Sequence, residues 1–428
     1  MSIAPVGNGT RPSLRDISVD PGRGTGPGLA PSDAQATRLE LLADEIERHA
    51  AAVVDVLSEV ATRAAARYEV TAAVATLRGA RAEVARHAPR HVDEIAVFLP
   101  SNVLLYSYVL YGLVPTLYAD RVRLRPSAHV SDTAVRLHQL LQGLVAAPVE
   151  LAPEPQRRFV ERVVVGADVV VFAGAYANAE LVRHGLRREQ LFVFLGSGVN
   201  PVVVAPDADL ASAVAETAEV RLLNTGQDCL GPDVVWVHAA IAERFLDDLG
   251  AHLGTLRFDG DGDGDGDYGR VHYPGVLARS ADFLHRHGGR IRSGGRIDFG
   301  RSQLEPTIVA WPAGQRPELT EFFSPIFNVA VWDDEAALAD MLDTGAYAER
   351  AMGASLFGTA PRIERVLRRW CTTTVDRSLL AVDDGNEPLG GRGPMAGHFA
   401  VDGRLVAEPV LLSKGVADHL GRDGGPRA

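Results

Sequence analysis

Apolar residues recur at helical spacing from Ala34 to about Ala88, which predicts a helical entry segment. Beyond it, short apolar runs alternate with amphipathic stretches. The runs predict strands at residues 94–99, 122–125, 149–151, 168–172, 191–195 and 201–204, and the stretches between them predict helices, among them 132–144. This alternation is typical of a parallel sheet with helices on both faces, so the sequence predicts an α/β fold.

The pattern restarts after Asp207, with a strand predicted at 234–237 and a helix at 241–253. We therefore expect a second α/β domain. The first residues are rich in Gly, Pro, Ser and Asp, which favours a disordered tail. The predicted parts are the tail at 1–34, the entry segment with the first domain at 35–205, the second domain at 206–385, and a return to the first domain at 386–428.

Composition narrows the function classes. A formal charge of -12 argues against a nucleic-acid partner, which would need a basic face. The longest apolar stretch, 97–114, is interrupted by Pro-Ser-Asn and falls short of the roughly 20 residues that a membrane helix needs. The tail lacks the apolar core of a secretory signal. We expect a cytoplasmic protein that binds neither membrane nor nucleic acid.

The acidic run at 259–267 is similar at its start to a calcium-binding loop. Such a loop requires a bidentate Glu at its twelfth position, which falls here on Arg270 or His272. We predict a flexible acidic loop and no metal site.

The two cysteines, Cys229 and Cys371, imply no disulfide framework. A cysteine taken alone is more often a small buried apolar residue than a nucleophile. Cys229, however, ends the polar run Asn-Thr-Gly-Gln-Asp-Cys at 224–229. This run resembles the cysteine loop N-x-G-Q-x-C of the aldehyde dehydrogenase superfamily.

Further matches to that superfamily follow in its chain order and cover roughly residues 95 to 415. Segment 98–102 resembles the P-W-N segment, with Ser101 in place of Trp. Segments 125–127, 172–175 and 200–210 are similar to the K-P-S-E, F-T-G-S and N-P-x-x-V-x-x-D-A-D-L motifs. Segments 305–307, 321–325 and 388–391 are similar to the P-T strand and to the E-x-F-G-P and P-F-G-G motifs. The resemblance implies a Rossmann-type cofactor domain, an α/β catalytic domain and a small C-terminal oligomerisation segment.

The resemblance also implies a mechanism. Cys229 would attack a carbonyl carbon and form a thioester, while hydride moves to or from a nicotinamide. The amide of Asn102 and the backbone N–H of Cys229 would stabilise the oxyanion. By position alone, a helix N-cap is the better explanation of Asn102, but the Cys229 motif downstream favours the oxyanion role.

The cofactor-binding residues implied by the resemblance are Pro100, Arg125, Ser127, Gly174, Glu321 and Phe323. Glu321 would bind the nicotinamide ribose and Phe323 would pack on the ring. The family's Lys and Glu of K-P-S-E are replaced by Arg125 and Ala128. A guanidinium without the carboxylate favours NADP slightly over NAD.

The family's general base is missing. The glutamate of E-L-G-G-K falls on Leu195, or on Phe194 with a different spacing, and neither side chain can take a proton. This loss is typical of the acylating and acyl-reducing branches, so we expect transfer to coenzyme A or phosphate, or the reverse reduction of an activated acyl group. Two alternatives stay open: a hydrolytic enzyme with a displaced base such as Asp228, and a non-catalytic binding scaffold.

The substrate is expected to be a small aldehyde or an activated acyl compound. Family members assemble through a C-terminal strand, which would lie here at 409–413. A homodimer is therefore the expected assembly.

Overall fold

The computed structural model describes residues 33–196, 198–259 and 266–421. The predicted tail at 1–34 lies outside these ranges except for Asp33 and Ala34, which begin the first helix. Most of the acidic run at 259–267 lies outside them as well. Among the helices of the described ranges, none is both long enough and apolar enough to cross a membrane.

The strands are numbered in chain order. They are β1 (Val92–Phe98), β2 (Ala119–Arg125), β3 (Val149–Leu151), β4 (Val169–Ala173), β5 (Leu191–Leu195), β6 (Asn200–Val204), β7 (Pro232–His238), β8 (Ile291–Ser293), β9 (Ile297–Asp298), β10 (Gln303–Leu304), β11 (Thr307–Trp311), β12 (Ile326–Trp332), β13 (Gly353–Phe357), β14 (Thr372–Val375), β15 (Gly397–Val401) and β16 (Arg404–Val406).

The α-helices are numbered in the same way. They are α1 (Asp33–Arg48), α2 (Ala50–Leu57), α3 (Arg63–His87), α4 (Leu104–Tyr108), α5 (Ser131–Leu144), α6 (Gln156–Phe159), α7 (Tyr176–Arg183), α8 (Leu210–Leu222), α9 (Ala242–Leu253), α10 (Val276–Arg286), α11 (Glu335–Leu342), α12 (Gly345–Ala348), α13 (Pro361–Trp370) and α14 (Leu412–His419).

The first sheet has the order β16-β15-β5-β4-β1-β2-β3. Strands β1 to β5 are parallel, whereas β15 pairs antiparallel to β5. One face packs against α1, α2, α3 and α5, and the other against α6 and α7. This confirms the α/β fold predicted from the alternating pattern.

The second sheet has the order β14-β13-β6-β7-β12-β11-β8. Strand β6, assigned by the predicted boundary at residue 205 to the first domain, pairs here with β7 and β13. β5 therefore belongs to the first sheet and β6 to the second, so the chain passes from one sheet to the other between these two strands. Periodicity could not place this crossing because β5 and β6 are both buried apolar strands and differ only in their partners.

The strand predicted at 409–413 is wrong. Val410 makes an isolated bridge to Leu389, and the chain then forms α14. Leu412 and Val416, one helical turn apart in α14, are buried in the core of the first domain.

Candidate active site

A single cavity of about 660 Å³ contains the nucleophile predicted from the sequence. The carboxyl ends of β1, β2 and β4 open into it, as expected for an open parallel sheet. All eight predicted site residues line this cavity: Pro100, Asn102, Arg125, Ser127, Gly174, Cys229, Glu321 and Phe323.

The cysteine loop has an unusual backbone. Asn224, Thr225 and Gly226 have φ of 48°, 60° and 79°, so three consecutive residues adopt the left-handed conformation. A β-branched residue rarely adopts it, and each such non-glycine residue costs on the order of 1 kcal/mol or more. At Gly226 a Cβ would also lie 2.4 Å from the carbonyl oxygen of Ser324, so only glycine fits.

Buried hydrogen bonds hold this strained loop. Thr225 Oγ1 accepts from the backbone N–H of Gly269 at 2.7 Å. Gln227 Oε1 accepts from the N–H groups of His272 and Tyr273 at 2.6 and 3.0 Å. Its amide nitrogen donates to the carbonyls of Asn224 and Arg270. The residues of the N-T-G-Q run therefore shape the loop rather than react.

Two further side chains fix the loop from the protein interior. Asn200 donates to the carbonyl of Cys229 at 2.6 Å, while its Oδ1 accepts from two N–H groups at the start of β13. Arg221, 1% exposed, donates to the carbonyls of Gly226 and Pro232 and pairs with Asp233 at 3.4 Å. Cys229 is thus tied to α8, β6 and β13 together.

Asn102 lies beside the cysteine loop, where it was expected. Its Nδ2 donates to the carbonyl of Gln227 at 3.4 Å, and its Oδ1 accepts from the hydroxyl of Tyr273 at 3.1 Å. Because Tyr273 occupies the oxygen, the amide nitrogen is turned toward the cysteine loop and can donate to an oxyanion there. Tyr273 therefore orients a donor that the sequence could only suggest.

The alternative explanation of Asn102 as an N-cap is wrong. Helix α4 follows Val103, and no side chain at its N-cap accepts a hydrogen bond. Instead, Glu69 of α3 accepts from the N–H groups of Leu105 and Tyr106 at 2.9 and 3.4 Å. Burial raises the pKa of Glu69 to about 8, although these two hydrogen bonds oppose the shift.

The surroundings of Cys229 are negatively charged. Burial raises the pKa of its thiol well above the ordinary value. The carboxylates of Asp228, Asp383 and Glu321 raise the pKa further. Asp228 is 6% exposed and lines the cavity, and burial raises its own pKa to about 6. The site as described favours the protonated thiol.

Asp383 is a member of the site that the sequence did not reveal. Its Oδ2 accepts from the hydroxyl of Tyr68 at 2.8 Å, and its Oδ1 accepts from the hydroxyl of Tyr106 at 3.1 Å. Burial raises the pKa of this carboxyl as well, against the effect of the two hydroxyls. Tyr106, Tyr111 and Asp383 all line the cavity.

On the other side of the cysteine lies the end of the first sheet. Arg125, the last residue of β2, donates from Nε to the carbonyl of Glu154 at 3.1 Å, and its guanidinium stacks over Phe98 at 5.9 Å. Gly174, with φ of 149°, follows β4 and precedes α7, whose N-cap residue Ala175 has no side-chain cap. An uncapped helix N-terminus is suited to bind an anion.

The loop before β12 closes this side. Phe323 has φ of 48° and packs its ring against Tyr273, with the ring centroids 5.2 Å apart. Glu321 lies two residues earlier and faces the same cavity. Helix α10 supports this loop through Phe283, whose ring contacts Phe322 with centroids 4.8 Å apart.

Leu195 and Phe194, the two candidates for the position of the family's glutamate, have different surroundings. Leu195 lines the cavity with Cys229, whereas Phe194 is fully buried and packs against Tyr176 and His398. The crossing that follows is tight, since a Cβ on Gly196 would lie 2.1 Å from the carbonyl oxygen of Met395. Of the two candidates, the one that faces the cavity is therefore the apolar Leu195, which cannot act as a base.

The buried carboxylates of α3 could have been recognised from the sequence. Glu69, Thr76 and Glu83 recur every seven residues on the buried face of α3. Burying a carboxylate on an apolar helix face costs free energy unless the group is hydrogen-bonded or paired. These positions could therefore have been predicted to have buried polar partners. Tyr68, Tyr273 and Asp383 carry no such signal, because only the tertiary fold brings them together.

The chain matches the model of a known family over residues 30–393, described as "Aldehyde dehydrogenase family". Among curated proteins, the 4,4'-diapolycopene-4,4'-dial dehydrogenase of Cytobacillus firmus is 24% identical over 222 residues, which are 51% of this chain and 48% of that protein. The chain spans about half the length of the curated relatives it matches.

Solved structures share the fold. The gamma-glutamyl-gamma-aminobutyraldehyde dehydrogenase of Burkholderia cenocepacia superposes with a TM-score of 0.76 at 19% identity, covering 90% of this chain and 83% of that one. The succinic semialdehyde dehydrogenase of Streptococcus pyogenes, solved with NADP+, gives 0.75 at 14% identity, covering 89% and 92%. With the family model matching most of its length, this chain belongs to the aldehyde dehydrogenase family.

Proposed function

We propose that the protein is an NAD(P)-dependent aldehyde dehydrogenase that works through a thioester on Cys229. The observation that carries this proposal is the convergence of eight residues, chosen from sequence motifs far apart in the chain, on one cavity. A non-catalytic scaffold would have no need to keep Asn102, Cys229 and Glu321 on the same cavity.

The residues at the end of the first sheet fit a dinucleotide. The uncapped N-terminus of α7, next to Gly174, suits a pyrophosphate. Arg125 and Ser127 line the cavity and would hold the adenosine ribose, and Ala128 brings no carboxylate to repel a 2'-phosphate. We therefore favour NADP over NAD. When bound, the nicotinamide accepts the hydride that leaves the substrate carbon.

The protein's own groups supply the remaining chemistry. The thiol of Cys229 gives its proton to solvent water, and its sulfur forms a bond to the aldehyde carbon. The carbonyl oxygen becomes an oxyanion, which the Asn102 amide and the Cys229 N–H stabilise. Loss of hydride restores the C=O bond and leaves an acyl thioester on Cys229.

We propose that this thioester is released to an acceptor thiol or phosphate. Leu195 cannot activate a water molecule, and the absence of a base costs roughly 100- to 10,000-fold in such a step. Coenzyme A or phosphate needs less activation. The same argument supports the reverse direction, in which an activated acyl group is reduced to an aldehyde. The homodimer expected from the resemblance stays a prediction.

Hydrolysis is the second candidate, because one observation favours it. Asp228 lines the cavity beside the nucleophile, and its pKa of about 6 leaves it largely ionised at neutral pH yet more basic than an exposed aspartate. A carboxylate of this kind could accept a proton from water.

The test follows reduced nicotinamide for a panel of aldehydes with NAD or NADP, each with and without coenzyme A or phosphate. Turnover that requires the acceptor supports acyl transfer. Release of free acid without any acceptor, abolished in Asp228→Asn, supports hydrolysis instead. Absence of turnover and of any acyl adduct with every combination would overturn both proposals.

A further inference from the structure

The substrate half of the cavity contains carboxylates that lack a positive partner. Among the described residues, Asp228 and Asp383 form no ion pair with Lys, Arg or His, although both lie in or against the cavity wall. Arg221 lies behind the loop and opposes the rise in the pKa of Asp228, but its guanidinium bonds Asp233 and two carbonyls and forms no ion pair with Asp228.

The hydrogen bonds of these carboxylates also leave room for a ligand. Asp228 Oδ1 accepts from the N–H of Leu230 at 2.8 Å, whereas its Oδ2 accepts from no described residue. Asp383 accepts one hydroxyl on each oxygen, and a carboxylate can accept about four hydrogen bonds in total. Burying unpaired carboxylates is costly, so a bound cation would repay that cost.

Two basic side chains line the described cavity, and neither forms an ion pair with Asp228 or Asp383. In the described lining they are Arg125, on β2, and Arg279, on α10, the helix that supports the Glu321–Phe323 loop. The rings of Tyr106 and Tyr111 line the wall beside Asp383. Tyrosine rings attract a cation through their π faces. The negative charge and the aromatic surface of the substrate half thus both favour a positively charged group.

Resting on the proposed function, we propose that the preferred substrates are aldehydes that carry a positively charged nitrogen, an ammonium or quaternary ammonium group held between Asp383, Asp228 and the two tyrosine rings. Aldehydes with a carboxylate or phosphate are disfavoured, because the described substrate half offers them no cation and repels them with two anions. The same cation offsets the negative surroundings of Cys229 and favours its thiolate.

The experiment compares kcat/KM for three aldehydes: 4-trimethylammoniobutanal, its neutral isostere 5,5-dimethylhexanal, and succinate semialdehyde. We expect the cation to exceed the isostere at least tenfold, and the isostere to exceed the anion. In Asp383→Asn and in Asp228→Asn the cation-to-isostere ratio should fall at least fivefold. The matched control is Asp248→Asn, which removes one charge from the exposed side of α9 and should leave the ratio unchanged.

A binding measurement separates this inference from the proposed function. In Cys229→Ala, calorimetry compares 4-trimethylammoniobutanol with 5,5-dimethylhexanol, two unreactive alcohols. Tighter binding of the cation, lost in Asp383→Asn, supports the charge selection even if no turnover is found. Three results would each overturn the inference: equal kcat/KM for the cation and its isostere, equal binding of the two alcohols, or a cation-to-isostere ratio that is unchanged in both folded aspartate variants. In any of these cases, turnover of an aldehyde would still support the proposed function.

Discussion

The two halves of the cavity that meet at Cys229 differ in charge and in construction. The half at the end of the first sheet carries Arg125 and an uncapped helix N-terminus, both of which attract anions. The opposite half carries Asp228 and Asp383 and two tyrosine rings, which attract cations. The nucleophile lies at the boundary, so each half can bias its chemistry separately.

The two halves differ in construction as well as in charge. The first half is made of strand ends, where a short motif supplies both backbone and side chain. The second half is assembled from α3, α4, the cysteine loop and the segment that contains Asp383, none of them neighbours in sequence. Substrate selection can therefore change without disturbing the cofactor half, and the following predictions probe that independence.

The largest effect on kcat is expected beside Cys229, where the two halves of the cavity meet. Asn102→Ala removes an oxyanion donor, and kcat should fall on the order of 100- to 1000-fold. Tyr273→Phe removes only the hydroxyl that orients Asn102, so kcat should fall about fivefold, the effect of one neutral hydrogen bond. Steady-state kinetics measures both. Tyr268→Phe, whose hydroxyl bonds Gln303, is the control. A larger loss in Tyr273→Phe than in Asn102→Ala would contradict this order.

The second effect separates the cofactor half from the substrate half. Arg125→Ala removes a guanidinium from the proposed 2'-phosphate site, and KM for NADP should rise roughly 10- to 100-fold, the value of a charge-assisted hydrogen bond. KM for NAD and the selectivity among aldehydes should change little. Arg123→Ala, on the same strand but paired with Glu94, serves as the control. Equal increases for both cofactors would show that Arg125 does not discriminate between them.

The third effect concerns the reactivity of Cys229 without substrate. Removing one neighbouring carboxylate in Asp228→Asn lowers the pKa of the thiol, so at pH 8 more thiolate is present. Alkylation of Cys229 by neutral iodoacetamide should therefore become severalfold faster, because the rate follows the fraction of thiolate. Asp248→Asn is again the control. A rate that is unchanged or slower in Asp228→Asn would contradict the assigned electrostatic effect.

The smallest effect on the reaction is expected at Glu69, whose substitution changes the pH dependence of stability. Folded Glu69 retains its proton up to a pKa of about 8, whereas the unfolded chain loses it near 4.5. The folded state binds more protons in this window, so stability falls as pH rises from 4.5 to 8. Between pH 5 and pH 8 the wild type should lose roughly 3 kcal/mol more than Glu69→Gln in urea unfolding. Parallel pH profiles of the two proteins would exclude an ionisation cost at Glu69.

The comparison of the two halves also accounts for what the sequence could predict. The alternation of apolar runs gave the first sheet, and the motifs gave Arg125, Gly174 and Cys229, because in each case neighbours in sequence are neighbours in space. The crossing between β5 and β6 and the helix α14 were misjudged, because a buried apolar run does not reveal its partner. Tyr273 and Asp383 were out of reach for the same reason: their contacts span 171 and 277 or more residues.

The central claim is that Cys229 carries the acyl group. The direct measurement mixes enzyme, aldehyde and NADP+ without an acceptor, quenches with acid and locates the added mass on peptides. We predict a mass gain equal to the acyl group on the peptide with Cys229, absent in Cys229→Ala and retained in Cys371→Ala, since Cys371 is buried and burial raises its pKa to about 12. An adduct on any other residue, or one that persists in Cys229→Ala, would contradict the claim.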